Sequence, residues 1–285
     1  MKYIAKIIFY LINFFDVFLQ KVFNKKFLFF LKDLIENKSY TEKEVSNKKI
    51  VFFTPNSITK WRVDTLFTKE PETISWIDSF DGRENFVFWD IGANIGLYSI
   101  YAALKFKNIS VVSFEPSTSN IRVLSRNISI NNLQEKIIIN QLPLSNKENQ
   151  YLLLNEREFI EGYAENTFGK KIDFTGKNFN PKNSYKILGS SIKYLISQNI
   201  LKLPNYIKID VDGIEHLILK GAGDYLSDKK LKSISIEINE NFKEQYDQVT
   251  EIMKKSNFNL KHKKRANEFF IGNQSKIYNY LFEKK

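Results

Sequence analysis

Residues 86–96, F-V-F-W-D-I-G-A-N-I-G, constrain the fold of this chain more than any other stretch. Aromatic and β-branched residues run without a break into Asp90. Gly92, Asn94 and Gly96 follow, and a helical pattern then occupies residues 97–105. A buried strand, a glycine turn and a helix in that order open a nucleotide-binding α/β sheet. Ligands of such sheets sit at the carboxyl ends of the strands, where Asp90 stands.

The unit repeats downstream. Residues 109–114 read as a second buried strand ending at Glu115-Pro116, and residues 117–131 as a helix with Ile121, Leu124 and Ile128 on one face. Residues 136–144 form a third strand, which completes a β-α-β-α-β pattern and so a parallel sheet with helices on its faces. A fourth strand is expected over residues 206–211, a helix over 214–226, a fifth strand over 231–238 and a helix over 242–255. Residues 258–262 and 268–271 read as a closing antiparallel pair. Before the first buried strand, residues 50–54 and 61–67 look like strands, and residues 68–80 like a helix with Pro71 near its start. Residues 145–189 break the rhythm, with one short strand at 151–154. An irregular stretch of that length inside an enzyme reads as a substrate-facing region or else as a surface excursion with no role. Ser190 and Ser191 then cap a short helix over residues 192–198.

Residues 1–35 interleave Lys6, Lys21, Lys25, Lys26 and Lys32 with large apolar side chains, as an amphipathic helix does. Their longest uncharged run, residues 7–15, is far shorter than the roughly 18–20 apolar residues that span a bilayer. No small-residue cleavage site follows it. Such a helix either packs on the catalytic domain or a partner, or makes peripheral contact with an anionic membrane. Residues 36–49 are polar and read as a linker. The expected division is therefore residues 1–49 as appendage and residues 50–285 as the α/β domain.

Composition narrows the chemistry. The chain has no cysteine and only two histidines, His216 and His262, so thiolate nucleophiles, cysteine-held metals and multi-histidine sites are excluded. A metal here would be a hard cation on carboxylates. The net charge of +11 points to an acidic partner. The basic residues are spread along the chain, however, and Lys, Asn, Ile and Phe are abundant together, which weakens that inference.

Dinucleotide proteins need Gly-x-Gly-x-x-Gly so that backbone can touch a pyrophosphate. Here Asn94 stands two residues after Gly92 and no third glycine completes the pattern. S-adenosylmethionine has no pyrophosphate and tolerates that turn. Asp90 can face its ammonium or sulfonium charge. A lone Glu at a strand end is ordinarily a solvated surface charge. Glu115, closing the strand that follows Asp90-x-Gly, sits instead where a carboxylate accepts hydrogen bonds from ribose hydroxyls. A third cluster, K-I-D-V-D-G-I-E-H over residues 208–216, puts Asp210 at the end of the fourth strand. Methyl transfer to a hydroxyl needs an in-line oxygen and a proton acceptor. Asp210, Asp212 and His216 are the candidates for base and orientation, although a lone helix histidine is more often structural. Asp210 and Glu237, on neighbouring strands, are a candidate Mg²⁺ pair.

W-D-I-G-A-N-I-G-L-Y-S, S-F-E-P-S, K-I-D-V-D-G-I-E-H-L-I-L-K-G-A and I-E-I-N together resemble the FkbM family of S-adenosylmethionine-dependent methyltransferases, over roughly residues 70–272. The resemblance implies a class I methyltransferase fold, that is, a Rossmann-like, mostly parallel seven-stranded sheet with helices on both faces, and O-methylation of a sugar or polyketide hydroxyl. By position, Asp90, Gly92, Asn94, Gly96, Glu115 and Pro116 would carry the cofactor, and Asp210 and Glu215 belong to the family's second block. Asp212 stands where the family more often has Glu. Ser190-Ser191-Ile192-Lys193 replaces a common Thr-Leu-Asp. The implied enzyme is cytoplasmic and acts on a surface glycan, its lipid-linked precursor or another glycoside. A dinucleotide oxidoreductase is disfavoured by the missing glycine. A nucleic-acid methyltransferase is disfavoured by the lack of an Asn/Asp-Pro-Pro-aromatic motif and of any thiol, so no nucleic-acid partner is expected.

Overall fold

The computed structural model of the protein describes residues 1–45, 48–265 and 276–284. Two compact units divide the chain, Met1–Tyr40 and Thr41–Lys285. The break thus falls at 40/41 rather than at the expected 49/50. The first unit carries two helices, α1 (Lys2–Phe23) and α2 (Leu28–Glu36), where a single helical segment was expected.

The polar stretch read as a linker instead builds a two-stranded sheet, β1 (Tyr40–Val45) with β2 (Lys48–Phe53). Its apolar end, Ile50, Phe52 and Phe53, is fully buried. Asn127 and Asn131 of a later helix hold β2 through hydrogen bonds to the backbone of Phe53 and Val51. The expected strand at 61–67 is a helix, α3 (Ser57–Asp64). Asn56 starts it with a capping box: its side chain accepts from the Ile58 and Thr59 amides at 2.9 Å each, and Thr59 Oγ1 accepts from the Asn56 amide at 3.2 Å. With those donors satisfied and Val63 turned inward, the helical start outweighs the β-propensity of Trp61 and Val63. α4 (Pro71–Asp78) follows, with Pro71 in its first turn as expected.

The central sheet has seven strands: β3 (Phe86–Ile91), β4 (Ile109–Phe114), β5 (Ile137–Asn140), β9 (Tyr206–Ile209), β10 (Ser233–Asn239), β11 (Phe258–Lys264) and β12 (Ile277–Lys284), in the order β11-β12-β10-β9-β3-β4-β5. Six strands run in one direction, and β12, between β10 and β11, runs against both of its neighbours. This is the mostly parallel seven-stranded sheet that the resemblance implies. The strand partner expected for β11 at residues 268–271 lies outside the described residues, and β12 occupies that place. Helices α5 (Leu97–Lys105), α6 (Thr118–Ile130), α7 (Ile192–Ser197), α8 (Glu215–Lys220) and α9 (Lys243–Lys255) follow the strands. The helix expected over 214–226 stops at Lys220, and a 3₁₀ turn, Gly223–Ser227, completes it. Ser191 caps α7 through the Tyr194 amide at 3.0 Å. Residues 145–189 are not irregular throughout, because β6 (Gln150–Glu156), β7 (Asn166–Phe168) and β8 (Asn183–Gly189) form a separate antiparallel sheet in the order β7-β6-β8.

The sheet reverses direction at β3: the chain runs outward to β4 and β5, then returns to β9 on the other side. The carboxyl ends of β3, β4 and β9 therefore border a crevice, the usual ligand position in open α/β sheets. The strands that make it are buried on both faces. Trp89 is fully buried and packs on Phe114 with ring centroids 5.0 Å apart. Its Nε1 has no hydrogen-bond partner among the described residues. Trp89→Phe removes that unmet donor and is expected to cost less than about 1.5 kcal/mol, whereas Trp89→Ala opens a cavity and is expected to cost about 3–5 kcal/mol. Urea unfolding of both variants checks this; equal losses would contradict it.

Candidate active site

Gly92 joins β3 to the turn and adopts φ +87°. A Cβ there would stand 1.9 Å from the carbonyl oxygen of Asp210, so the glycine lets the ends of β3 and β9 close on each other. Asn94 follows at φ 51°, a conformation asparagine tolerates. Its amide donates to Glu115 Oε2 at 2.8 Å, and its side chain donates to the Tyr163 carbonyl at 3.0 Å. Gly96 begins α5 at φ +87°, and a Cβ there would meet Leu124 Cδ1 at 2.4 Å, so its role is packing of α5 on α6.

Above these strand ends lies a cavity of about 450 Å³. Glu115 is nearly buried in its wall, with Oε1 accepting from the Ser117 amide at 2.9 Å and Oε2 from Asn94. Burial raises its carboxyl to about pH 7, against the pull of those two backbone donors. Beside it the wall is apolar, formed by Pro116, Leu142, Leu144, Leu154, Phe168 and Ile218. The other end is charged, with Arg62, Lys69, Glu165, Asp210, Asp212 and Glu237 in the lining. A strap over residues 161–165 covers one side. The Gly162 amide donates to Asn120 Oδ1 at 2.8 Å, and Arg62 Nε donates to the Gly162 carbonyl. The stretch expected to face substrate therefore supplies part of the cavity wall.

The charged end is a set of paired groups. Lys208, 2% exposed, donates to Asp210 Oδ2 at 2.7 Å, and Lys69 to Glu70 Oε1 at 2.7 Å. Burial works against the charge of Lys208, yet Asp210, Glu70 and Asp90 raise its pKa. Glu70 is likewise opposed by burial but pulled well below the carboxylate range by Lys69 and Lys208. Glu237 goes the other way: burial, then the charge of Asp210, raises it well above its ordinary value. Burial and Asp210 likewise raise Asp212 to about 7, while Asp212 Oδ2 accepts from the Glu165 amide at 2.6 Å. Asp210 and Glu237, expected as a metal pair, do come together with Glu70, with one ligand atom from each within 4.8 Å of the others. Two ammonium groups already contact this carboxylate set, so the positive charge a Mg²⁺ ion would bring is largely in place.

Three expected site residues stand outside the cavity lining: Gly96, which packs α5 on α6, Asp90 and His216. Asp90 is not in the cavity lining. It is 1% exposed and accepts from Ser99 Oγ at 2.6 Å, and Ser113 Oγ donates to Ser99 Oγ at 2.7 Å. This chain ties β3, α5 and β4 together beneath the site. Asp90, expected to face a ligand's ammonium or sulfonium, is instead bonded to Ser99 on the α5 side of the strand and does not line the cavity. His216 is also buried away from the cavity, edge-on to Phe242 with ring centroids 6.0 Å apart and Nε2 3.8 Å from Glu244. Burial, then the charge of Lys170, lowers its pKa to about 4, so it is neutral at pH 7 and does not contact the cavity. Glu215 is a loop anchor. It accepts from the Val211 and Gly213 amides at 3.2 and 3.1 Å and from Gln245 Nε2, which fixes the turn that aims Asp212. Sequence reasoning missed Arg62, Lys69 and Glu70. The Asn56–Thr59 capping box was legible, but nothing local shows that the segment after it turns toward the strand ends.

The sequence profile of the methyltransferase FkbM domain matches residues 90–260. The chain belongs to the FkbM methyltransferase family. A comparison with curated proteins finds no match. Among solved structures, the FkbM chain is similar to precorrin-6y C5,15-methyltransferase from Geobacter metallireducens GS-15, with 12% identity, 77% of this chain and 90% of that one covered, and a TM-score of 0.44. It is also similar to the fibrillarin pre-rRNA processing protein of Methanococcus jannaschii, with 12% identity, coverage of 86% and 84%, and a TM-score of 0.46. A third is TYW2 from M. jannaschii in complex with AdoMet, with 13% identity, 87% of each chain covered and a TM-score of 0.42. At these scores and identities nothing about substrate transfers to this FkbM protein.

The position of His216 has a measurable consequence. Its folded pKa lies below its ordinary 6.5, so between about pH 4 and 6.5 the unfolded chain binds the proton first and stability falls as pH falls. The imidazole of His216 is expected to titrate near pH 4 by NMR. His216→Phe is expected to flatten the acid-side loss of stability, whose slope from one such group is at most about 1.4 kcal/mol per pH unit. A midpoint near 6.5 would contradict its burial as a neutral ring.

Proposed function

We propose that this methyltransferase is a cytoplasmic enzyme that uses S-adenosylmethionine to methylate a hydroxyl of a sugar, in a surface glycan, its lipid-linked precursor or another glycoside. The observation that carries the cofactor reading is Glu115, a buried carboxylate closing β4, held at each oxygen by one backbone amide and bordering the 450 Å³ cavity. A carboxylate so held has lone pairs left for two ribose hydroxyls. The apolar wall at Pro116, Leu142 and Leu144 suits a flat base. Arg62 or Lys69 suits the carboxylate of the methionine moiety. Gly92 keeps the turn free of a side chain. When bound, S-adenosylmethionine supplies an electrophilic methyl group.

The chain's own residues hold the acceptor hydroxyl and take its proton. Asp212, with a pKa raised to about 7, is well matched to accept a proton near neutral pH. Asp210, fixed by Lys208, is placed to orient the acceptor beside it. The paired lysines balance the carboxylates without a metal, so turnover is expected to survive chelation of divalent cations. Trp61 on the rim, 42% exposed, offers the flat apolar surface on which the C–H faces of a sugar ring stack. These features favour a polyhydroxylated acceptor.

Calorimetry with S-adenosylmethionine tests the cofactor reading. Binding requires Glu115 ionised, so affinity is expected to rise with pH through about 7 and then level off. Glu115→Gln is expected to lose at least tenfold in affinity and to lose that pH dependence. Unchanged affinity in Glu115→Gln would contradict the site. For the acceptor, glycans from cells with and without the protein are expected to differ by the mass of one methyl group. Asp212→Asn is expected to bind cofactor normally while turnover falls by about 10²–10⁴-fold, the range general-base catalysis supplies. A variant that turns over normally would remove Asp212 from the mechanism.

A further inference from the structure

We infer that the first unit, Met1–Tyr40, is an interfacial membrane anchor whose partner is an anionic phospholipid surface. α1 has 22 residues and is therefore roughly 33 Å long. By length and apolarity it passes the test for a membrane-crossing helix, with only 6% of its most apolar window buried. Its side chains are nonetheless sorted by face. Ile4, Ile7, Leu11, Phe14, Phe18 and Val22 recur three or four residues apart along one side and are 46–75% exposed. Lys2, Lys6, Asn13, Asp16 and Gln20 share the opposite side at similar intervals, with Phe9, 53% exposed, among them.

Asp16 explains why the helix lies flat. It is 6% exposed, and its Oδ1 accepts from the amides of Phe27 and Leu28 at 2.7 and 3.0 Å, which caps the start of α2. Asn24 ends α1 in the left-handed conformation, and Lys25 and Lys26 make the turn between the helices. Phe15 and Phe27 pack edge-on across that turn at 5.6 Å. A crossing helix would carry this carboxylate, Asn13 and Gln20 into hydrocarbon. A helix lying in the interface leaves them on its water side and sinks the Phe14–Phe18 side.

Charge selects the lipid. Residues 1–40 hold seven lysines against three acids, and one of those acids is spent on the α2 cap. Phe29, Phe30 and Leu34 of α2 are 61–70% exposed and extend the apolar area. An apolar face with lysines at both ends supplies the two signals, burial and electrostatic attraction, that together give stable peripheral binding.

The test uses the full chain and vesicles of phosphatidylglycerol or phosphatidylcholine. Cosedimentation is expected with phosphatidylglycerol, at least tenfold weaker with phosphatidylcholine, and reversed by high salt or alkaline carbonate. Phe14→Glu combined with Phe18→Glu is expected to abolish it, and Lys25→Glu combined with Lys26→Glu to weaken it. Both double variants should keep the wild-type thermal unfolding transition and S-adenosylmethionine titration. No binding to phosphatidylglycerol, equal binding by the Phe14/Phe18 variant, or retention through carbonate as for a spanning helix would each overturn the proposal. Concentration-dependent dimerisation lost in that variant, with no vesicle binding, would make the partner a second copy and also overturn it.

Discussion

The close approach of two backbones, Gly92 at the end of β3 and Asp210 at the end of β9, is the constraint on which the site rests. A single added methyl group at residue 92 would come within 1.9 Å of the Asp210 carbonyl. Because the approach is permitted, the Asn94 amide reaches Glu115 on one side and Asp210 stands at the cavity on the other. Hydrogen bonds from the Gly92 and Ala93 amides to the Phe114 carbonyl, and from the Asp210 amide to the Ile91 carbonyl, lock the three strand ends together. The positions of Glu115 and Asp210 are thus properties of the sheet itself, while residues 161–165, the segment after α3 and the Asp212 turn complete the cavity wall.

Charge is the second organising factor. A crevice that gathers Glu70, Asp210, Asp212 and Glu237 would repel itself open without compensation. Lys208 from beneath and Lys69 from the segment after α3 provide it. The resulting field is uneven: Glu70 is held ionised, while Glu237 and Asp212 are pushed toward the protonated form. Carboxyl groups separated in this way can play different roles in one site, one fixed as a charge and another free to take up a proton.

How far the sequence reveals this depends on what each segment buries. The parallel strands β3, β4, β9 and β10 are buried along most of their length, so each is rich in aromatic and β-branched residues, with Ser113 in β4, Lys208 in β9 and Ser235 in β10 as the buried polar exceptions, and an acid stands at or near its carboxyl end. Glu115 and Asp210 are legible in that way, and both line the cavity. Asp90 ends the same kind of run, but which face its side chain takes depends on the packing of α5, which a linear pattern does not carry. His216 sits one turn into a helix beside two acids, and only the tertiary position of α9 and Phe242 shows that it is buried and neutral. Arg62 and Lys69, with Glu70 buried as the partner of Lys69, lie outside any chemical motif, and the two basic residues reach the cavity only because the chain after the Asn56 cap folds against the strand ends. In the β7-β6-β8 sheet β7 has only three residues, and β6 and β8 are half polar, so that β8 alternates too weakly to stand out from a loop.

The most direct measurement is a crystal structure of the protein with S-adenosylhomocysteine. Both Glu115 oxygens are expected to lie within about 3.2 Å of the ribose hydroxyls, with the base against Pro116 and Leu142 and the sulfur turned toward Asp210 and Asp212. A complex in which the nucleoside lies outside the crevice, or leaves the Glu115 carboxylate uncontacted, would contradict the assignment of this site.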